Sequence, residues 1–232
     1  MNVALIMAAG SGQRMNSETP KQFIEVNGHP ILWWTVKVFN DSKDIDAIFI
    51  VTNSSYFNKV DEITLDFEKV IGNIQGGNTR QESVFNGINY LLKNGFINDD
   101  IVLIHDAARP LISTDIIYNN VEGCKIHGAV DTVIPANDSI IRSLDASTIS
   151  QSENRKELFQ NQTPQTFKLG IIKEAYDKLS KELDKYTDDC QIVIKSGYKI
   201  HLVEGSKLNF KVTTKEDLEL LEAILSKNKL YF

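Results

Sequence analysis

Val3-Ala4-Leu5-Ile6-Met7 runs without a polar interruption into Ala8-Ala9-Gly10-Ser11-Gly12-Gln13-Arg14-Met15. An unbroken apolar run that meets a glycine-bearing polar loop reads as a strand buried on both faces, since only a half-exposed strand needs to alternate. The same figure recurs downstream. Strands are predicted over 45–52, 70–75, 101–104 and 129–135, and helices over 31–39 and 56–67. Thr79-Arg80-Gln81-Glu82 has the form of a capping box, and Val84, Ile88, Leu91 and Leu92 continue it at helical spacing. Ser113 or Thr114 caps a further helix, and Thr214 with Asp217 caps a last one reaching about residue 225. Strands alternating with helices make βαβ units, so the fold class is α/β, a doubly wound and mainly parallel sheet.

Residues 137–160 break that rhythm. Short extended pieces at 139–142 and 148–150 flank the turn-like Leu144-Asp145-Ala146-Ser147, which reads as a projecting β-hairpin arm. A lone hairpin is marginal in water, so the arm is expected to pack on something such as a second subunit. The reading is one domain over 1–232 with 137–160 as that arm.

With 232 residues, 42% hydrophobic and 24% charged, the chain has the composition of an ordinary globular protein able to bury its own core. Its 25 Lys+Arg against 31 Asp+Glu give a net charge of −6, which argues against a nucleic-acid partner. Cys124 and Cys190 sit in unrelated contexts and form neither a metal-ligand spacing nor a disulfide framework. The apolar run at 3–9 lacks a preceding basic residue and is short for a signal sequence. No stretch approaches the roughly 20 apolar residues of a membrane helix. A cytoplasmic protein without membrane contact is expected.

Ligands of a parallel sheet bind beyond the carboxyl ends of its strands, and three unusual segments fall there. The first is the loop at 8–15, followed by Pro20-Lys21-Gln22. Glycines let a backbone approach phosphate oxygens, although Gly-x-Gly alone equally describes a tight turn. Arg14 and Lys21 at this offset tip the reading to a polyphosphate. Neither a G-x-x-x-x-G-K-[ST] loop nor G-x-G-x-x-G is present, so ATPase and NAD-dehydrogenase readings lose their main support. The second segment, Gly76-Gly77-Asn78-Thr79-Arg80-Gln81-Glu82-Ser83, is largely explained by a turn and a capped helix. Arg80 and Ser83 remain, beside a helix N-terminus that suits a polar ring or anion. The third is His105-Asp106-Ala107-Ala108-Arg109-Pro110, whose Asp106 suits either Mg²⁺ or ribose hydroxyls, or simply an Asx turn. His29, His127 and His201 read as structural or surface residues, His105 as shaping its loop, and Trp33-Trp34 as core. Lysines 227–229 read as a solvated end.

AAGSGQRM, PKQF, GGNTRQESV and HDAARP, in this order, resemble the cytidylyltransferases that act on polyol phosphates. Gln-Thr163-Pro-Gln-Thr-Phe and the Leu-Val-Glu-Gly-Ser…Asn-Phe-Lys211-Val-Thr-Thr stretch extend the resemblance over essentially the whole chain. It implies a Rossmann-like nucleotidyltransferase that transfers CMP from CTP with Mg²⁺. It implies that Ala8, Ala9, Gly10, Gly12, Gly77, Arg80 and Ser83 hold the nucleotide and that Arg14 and Lys21 grip the triphosphate. Asp106 would face CTP and the metal. Arg109, Ser139, Arg155, Thr163, Asp188 and Lys211 would meet the acceptor, with Arg14, Lys21 and Lys211 catalytic. In the family the arm is exchanged across a homodimer, so Arg155 would serve the partner's site.

The resembling enzymes fall into two branches, one making CDP-methylerythritol for isoprenoid synthesis and one making CDP-ribitol for surface polymers. AAGSG and HDAARP look like the methylerythritol branch. Phe159-Gln-Asn-Gln-Thr-Pro-Gln-Thr-Phe, Gly128-Ala-Val-Asp-Thr-Val-Ile and Thr187-Asp-Asp-Cys190 depart from it, the first two toward ribitol enzymes. The nucleotide half is shared, so weighting the acceptor half favours ribitol 5-phosphate, with methylerythritol 4-phosphate as the alternative. A nonenzymatic nucleotide-binding module would have little reason to keep Arg14, Lys21, Asp106, Arg155 and Lys211 together. A transferase using UTP or GTP is the third reading.

Overall fold

A computed structural model describes residues 1–10 and 19–227. Its strands are β1 (Asn2–Met7), β2 (Glu25–Val26), β3 (His29–Pro30), β4 (Ala47–Thr52), β5 (Val70–Gln75), β6 (Ile101–Asp106), β7 (Ala129–Pro135), β8 (Ile141–Arg142), β9 (Gln151–Ser152), β10 (Phe159–Lys168) and β11 (His201–Glu204). Its helices are α1 (Ile31–Asp41), α2 (Phe57–Thr64), α3 (Arg80–Lys93), α4 (Thr114–His127), α5 (Leu169–Lys178), α6 (Asp189–Lys195) and α7 (Lys215–Lys227). The central sheet has seven strands in the order β11-β7-β10-β6-β1-β4-β5. β1 pairs in parallel with β4 and β6, β4 with β5, and β7 with β11.

β10 alone among these seven runs the other way, antiparallel to both β6 and β7. Sequence periodicity resumes an α/β pattern at 163 without revealing this strand. The reason lies in the connection. The chain leaves β7, makes the arm, and returns beside β7, and adjacent strands joined by a reversal must be antiparallel. The register of β10 on β7 shifts between Asn161 and Gln165, and the Thr163–Pro164 peptide inside the shift is cis.

Core layers cover both faces of the sheet. Leu5, Val51 and Ile104 pack with Val84 and Ile88 of α3 and Ile172 and Tyr176 of α5. Ala4, Ile6, Ile48 and Leu103 pack with Val36 and Phe39 of α1 and Ile117 and Val121 of α4. Consecutive residues of β1 therefore serve opposite layers, which is why its sequence is apolar at every position. α7 closes a smaller cluster of Ile31, Trp34, Val212, Leu221 and Leu225. Trp34 is core, its Nε1 donating to Val26 O, while His29 stacks on Trp33 at 3.7 Å. His127 likewise stacks on His201 at 3.6 Å, so these histidines are occupied with rings. None of the described helices is long and apolar enough to cross a membrane.

Caps set the helix starts. Thr79 accepts from Glu82 N at the head of α3, and Glu82 reaches back one residue further than the standard box, to Asn78 N. Ser113, not Thr114, caps α4, which ends at Gly128 with φ 80°, a left-handed position suited to glycine. The arm is a hairpin, with β8 pairing antiparallel to β9. Its second strand falls later than 148–150, because Asp145 Oδ1 accepts from Ser147 N and Thr148 N and draws those residues into the turn.

Candidate active site

The six strands that run together turn their carboxyl ends to one edge of the sheet, and the site is assembled there from the segments after β1, β5 and β6. β1 hands over to Ala8, Ala9 and Gly10, whose path is fixed from behind: buried Gln22 donates to Ala8 O at 2.6 Å and to Gly10 O at 3.2 Å. Gly76, after β5, lies against Ala9, a Cβ there falling 2.8 Å from the Ala9 methyl. Gly77 has no room for a side chain either, since its Cβ would stand 2.3 Å from that of Glu82. Gly77 N donates to Ser83 Oγ at 3.0 Å, and that hydroxyl donates to Thr79 O at 2.8 Å. Ser83 thus shapes the loop from the first turn of α3. Gly12 and Arg14 lie outside the described residues.

Asp106, the last residue of β6, is the electrostatic centre. Lys211 Nζ lies 2.9 Å from its Oδ2, Arg109 Nε 3.5 Å from the same oxygen, and Arg80 Nε 3.7 Å from Oδ1. Burial works against its charge, yet these three cations hold the carboxyl well below the usual carboxylate range. Lys211 arrives on a segment sewn to the sheet edge: Val212 N donates to Ala108 O, and Arg109 Nη1 donates to Asn209 O. Lys21 Nζ donates to Val212 O at 2.8 Å, so Lys21 and Lys211 are fastened to the same stretch.

His105 is wholly buried, and its ring is specified from both sides. The carbonyl of Arg109, 3.2 Å from Nε2, can only accept, so Nε2 carries the proton and Nδ1 accepts from Thr163 Oγ1 at 3.0 Å. Burial keeps the ring neutral down to about 4, which suits a loop-shaping residue. Thr163 Oγ1 also accepts from Asp106 N at 3.2 Å, so β10 fixes the position of the Asp106 backbone.

The expected acceptor-side residues divide. Arg109, Thr163 and Lys211 gather around Asp106. Asp188 sits on the rim as the N-cap of α6, accepting from Gln191 N at 2.9 Å. Ser139 and Arg155 are exposed on the arm, where Arg155 Nη1 donates to Asn137 O. Sequence reading missed Asp189, the completely buried neighbour of Asp188, which pairs with Arg80 Nη2 at 2.8 Å and accepts from Tyr176 Oη at 2.6 Å. The tandem acid at 188–189 was the available signal: when the first residue caps a helix, the second begins it and can face inward.

The model of the 2-C-methyl-D-erythritol 4-phosphate cytidylyltransferase family matches residues 2–227. The chain belongs to this family. A 2-C-methyl-D-erythritol 4-phosphate cytidylyltransferase of Thermosipho africanus (strain TCF52B) is 42% identical over 221 residues, covering 95% of this chain and 96% of that protein. One of Clostridium perfringens (strain SM101 / Type A) is 41% identical over 225 residues, with 95% and 96% covered. Among solved structures, 4-diphosphocytidyl-2C-methyl-D-erythritol synthase of Anaerococcus prevotii DSM 20548 superposes with a TM-score of 0.83 at 28% identity, over 97% and 96% of the two chains. The Francisella tularensis family member gives 0.81 at 31% identity, over 96% and 98%. Full-length coverage carries the sheet, the arm and the segment holding Lys211 into the family together. The family's name also favours the methylerythritol branch over the ribitol acceptor expected from the 128–190 departures.

Proposed function

We propose that the chain transfers CMP from CTP to 2-C-methyl-D-erythritol 4-phosphate and releases pyrophosphate. The observation that carries this reading is the cluster of Lys211, Arg109 and Arg80 around Asp106, beyond the strand ends and beside the Ala8–Gly10 loop, in a chain of this family. Three cations against Asp106 and Asp189 leave the site cationic, as two anionic substrates require.

In the proposed reaction a phosphate oxygen of the acceptor attacks the α-phosphorus of CTP. The new P–O bond forms as the bond from that phosphorus to the bridging oxygen breaks, and the electron pair leaves with pyrophosphate. The nucleophile is already an anion at neutral pH, so no strong base is needed, consistent with a His105 locked neutral in its loop. The chain's work is positioning and charge stabilisation. Ala9, Gly77 and Ser83 form the wall assigned to cytosine, Arg14 and Lys21 are assigned to the triphosphate, and Lys211, Arg109 and Thr163 lie toward the acceptor.

Among the described residues no group of three or more His, Cys, Asp and Glu converges as a metal cage. Asp106 takes its nearest contacts from Lys211 and Arg109 at Oδ2, while Arg80 Nε stands 3.7 Å from Oδ1, which fits a Mg²⁺ held by one carboxylate and substrate phosphates. Such an ion would neutralise phosphate charge when bound. Ser139 and Arg155 would reach the acceptor from the arm of a second copy.

Pyrophosphate release measured with CTP, UTP, GTP and ATP in turn, each with methylerythritol 4-phosphate and Mg²⁺, tests the nucleotide side. Turnover with CTP is expected to exceed the others by at least about a hundredfold, because a site built to hydrogen-bond one base leaves polar groups unpaired with another. Equal turnover with a second nucleotide would sink the reading.

A further inference from the structure

Arg80 stands between two carboxylates and leans toward one of them. Its Nη2 is 2.8 Å from Asp189 Oδ2, whereas its Nε is 3.7 Å from Asp106 Oδ1. Asp189 cannot follow any movement of the guanidinium. It is fully buried, its Oδ1 takes the Tyr176 hydroxyl at 2.6 Å, and its backbone N–H donates to Gln165 Oε1 at 3.0 Å. Tyr176 is itself fully buried in the α5 core, and Gln165 is pinned on β10 between Asn161 and Asp131, to each of which its Nε2 donates at 3.2 Å. The anchor is therefore built from three elements, α5, α6 and β10, none of which needs Arg80 to hold its place.

A guanidinium beside a carboxylate frequently closes onto it as a short bidentate pair. Lys211 and Arg109 both make their nearest approach to Asp106 at Oδ2, so closure by Arg80 onto Oδ1 would put a cation against each oxygen that Asp106 has to offer a ligand. We propose that Asp189 is a positioning residue that draws Arg80 off Asp106 and so keeps Asp106 Oδ1 open to substrate. The inference rests on the cytidylyltransferase reading for its kinetic consequence and on geometry alone for its structural one. Arg80 Nη1, buried and without a described partner, is left over by the same arrangement.

The test is the crystal structure and steady-state kinetics of Asp189→Asn, with Tyr176→Phe as the milder variant should the first fail to fold. Asn keeps the volume and accepts from Tyr176, but turns no charge toward Arg80. In Asp189→Asn, Arg80 is expected within about 3 Å of Asp106 Oδ1, the charge-assisted distance. The turnover number should fall about tenfold to a hundredfold, as when a supporting partner of an active-site ligand is removed. Tyr176→Phe leaves the Asp189 charge in place but frees its Oδ1 to turn with the guanidinium, so a smaller approach of Arg80 to Asp106 and a smaller loss are expected. If Asp189 merely fastens α6, its variant will melt at lower temperature with Arg80 still 3.7 Å from Asp106 and turnover unchanged while folded, and the proposal is overturned. Failure of the wild-type chain to release pyrophosphate from CTP would remove the functional reading instead, while the position of Arg80 in the variant crystals still decides the positioning role.

Discussion

Thr163 spends a single hydroxyl on two buried partners, His105 Nδ1 and Asp106 N. Thr163→Val keeps the shape and strips both bonds, so it should destabilise the fold by about 1–3 kcal/mol in urea unfolding. An unchanged midpoint would show that this bond network is not what holds the Asp106 backbone. Asp131 makes a different prediction. Burial, opposed by the Gln165 hydrogen bond, raises its carboxyl to about 7 from an ordinary 3.8. The folded state then keeps a proton that the unfolded chain releases, so its contribution is full below about pH 4 and is lost as pH rises to about 7. By linkage the swing is about 4 kcal/mol at most. Asp131→Asn should therefore gain on the wild type between pH 5 and pH 8 in urea unfolding, and a pH-independent difference would contradict it. At this scale the sequence was most legible where a residue type has few uses: Asp106, Lys21 and Lys211 fall where strand ends and motif order put them. Asp189 was not legible, because the second acid of Thr187-Asp-Asp-Cys190 looks solvated until α5 and β10 are seen to bury it.

At the scale of elements, the start of α3 does two jobs. Thr79 caps the helix, while Glu82 and Ser83 from its first turn hold Asn78 and Gly77 in the loop that faces the β1 end. Thr79→Ala should cost about 1 kcal/mol of stability. It should also raise the KM for CTP, since the cap and the loop are one structure. A stability loss with the KM unmoved would separate them. The capping box was readable because it is local, four consecutive residues with a fixed spacing. β10 was not, because its direction is dictated by where the arm returns the chain, and no period in residues 159–168 encodes direction.

The whole molecule presents an arm with little to hold it in one copy. Ile141, Leu144 and Ile149 are largely exposed there, as is Arg155. A second copy covering these side chains would complete the acceptor site with Arg155. Sedimentation at working concentration should give a dimer, and Ile141→Asp combined with Ile149→Asp should give monomers that lose most of their turnover. Fully active monomers would end the trans role of Arg155. The arm was legible as a break in the strand–helix rhythm. The second subunit expected on it came from the family resemblance, since sequence marks an exposed apolar surface but not what covers it.

The acceptor is decided by offering methylerythritol 4-phosphate and ribitol 5-phosphate in parallel, with CTP and Mg²⁺, and following pyrophosphate. Methylerythritol 4-phosphate is expected to be turned over with at least about a hundredfold higher kcat/KM, the discrimination that follows when a site's buried polar groups match one polyol and not the other. A preference for ribitol 5-phosphate would contradict it, and would mean that the departures at 128–134, 159–167 and 187–190 set the acceptor within this family's frame.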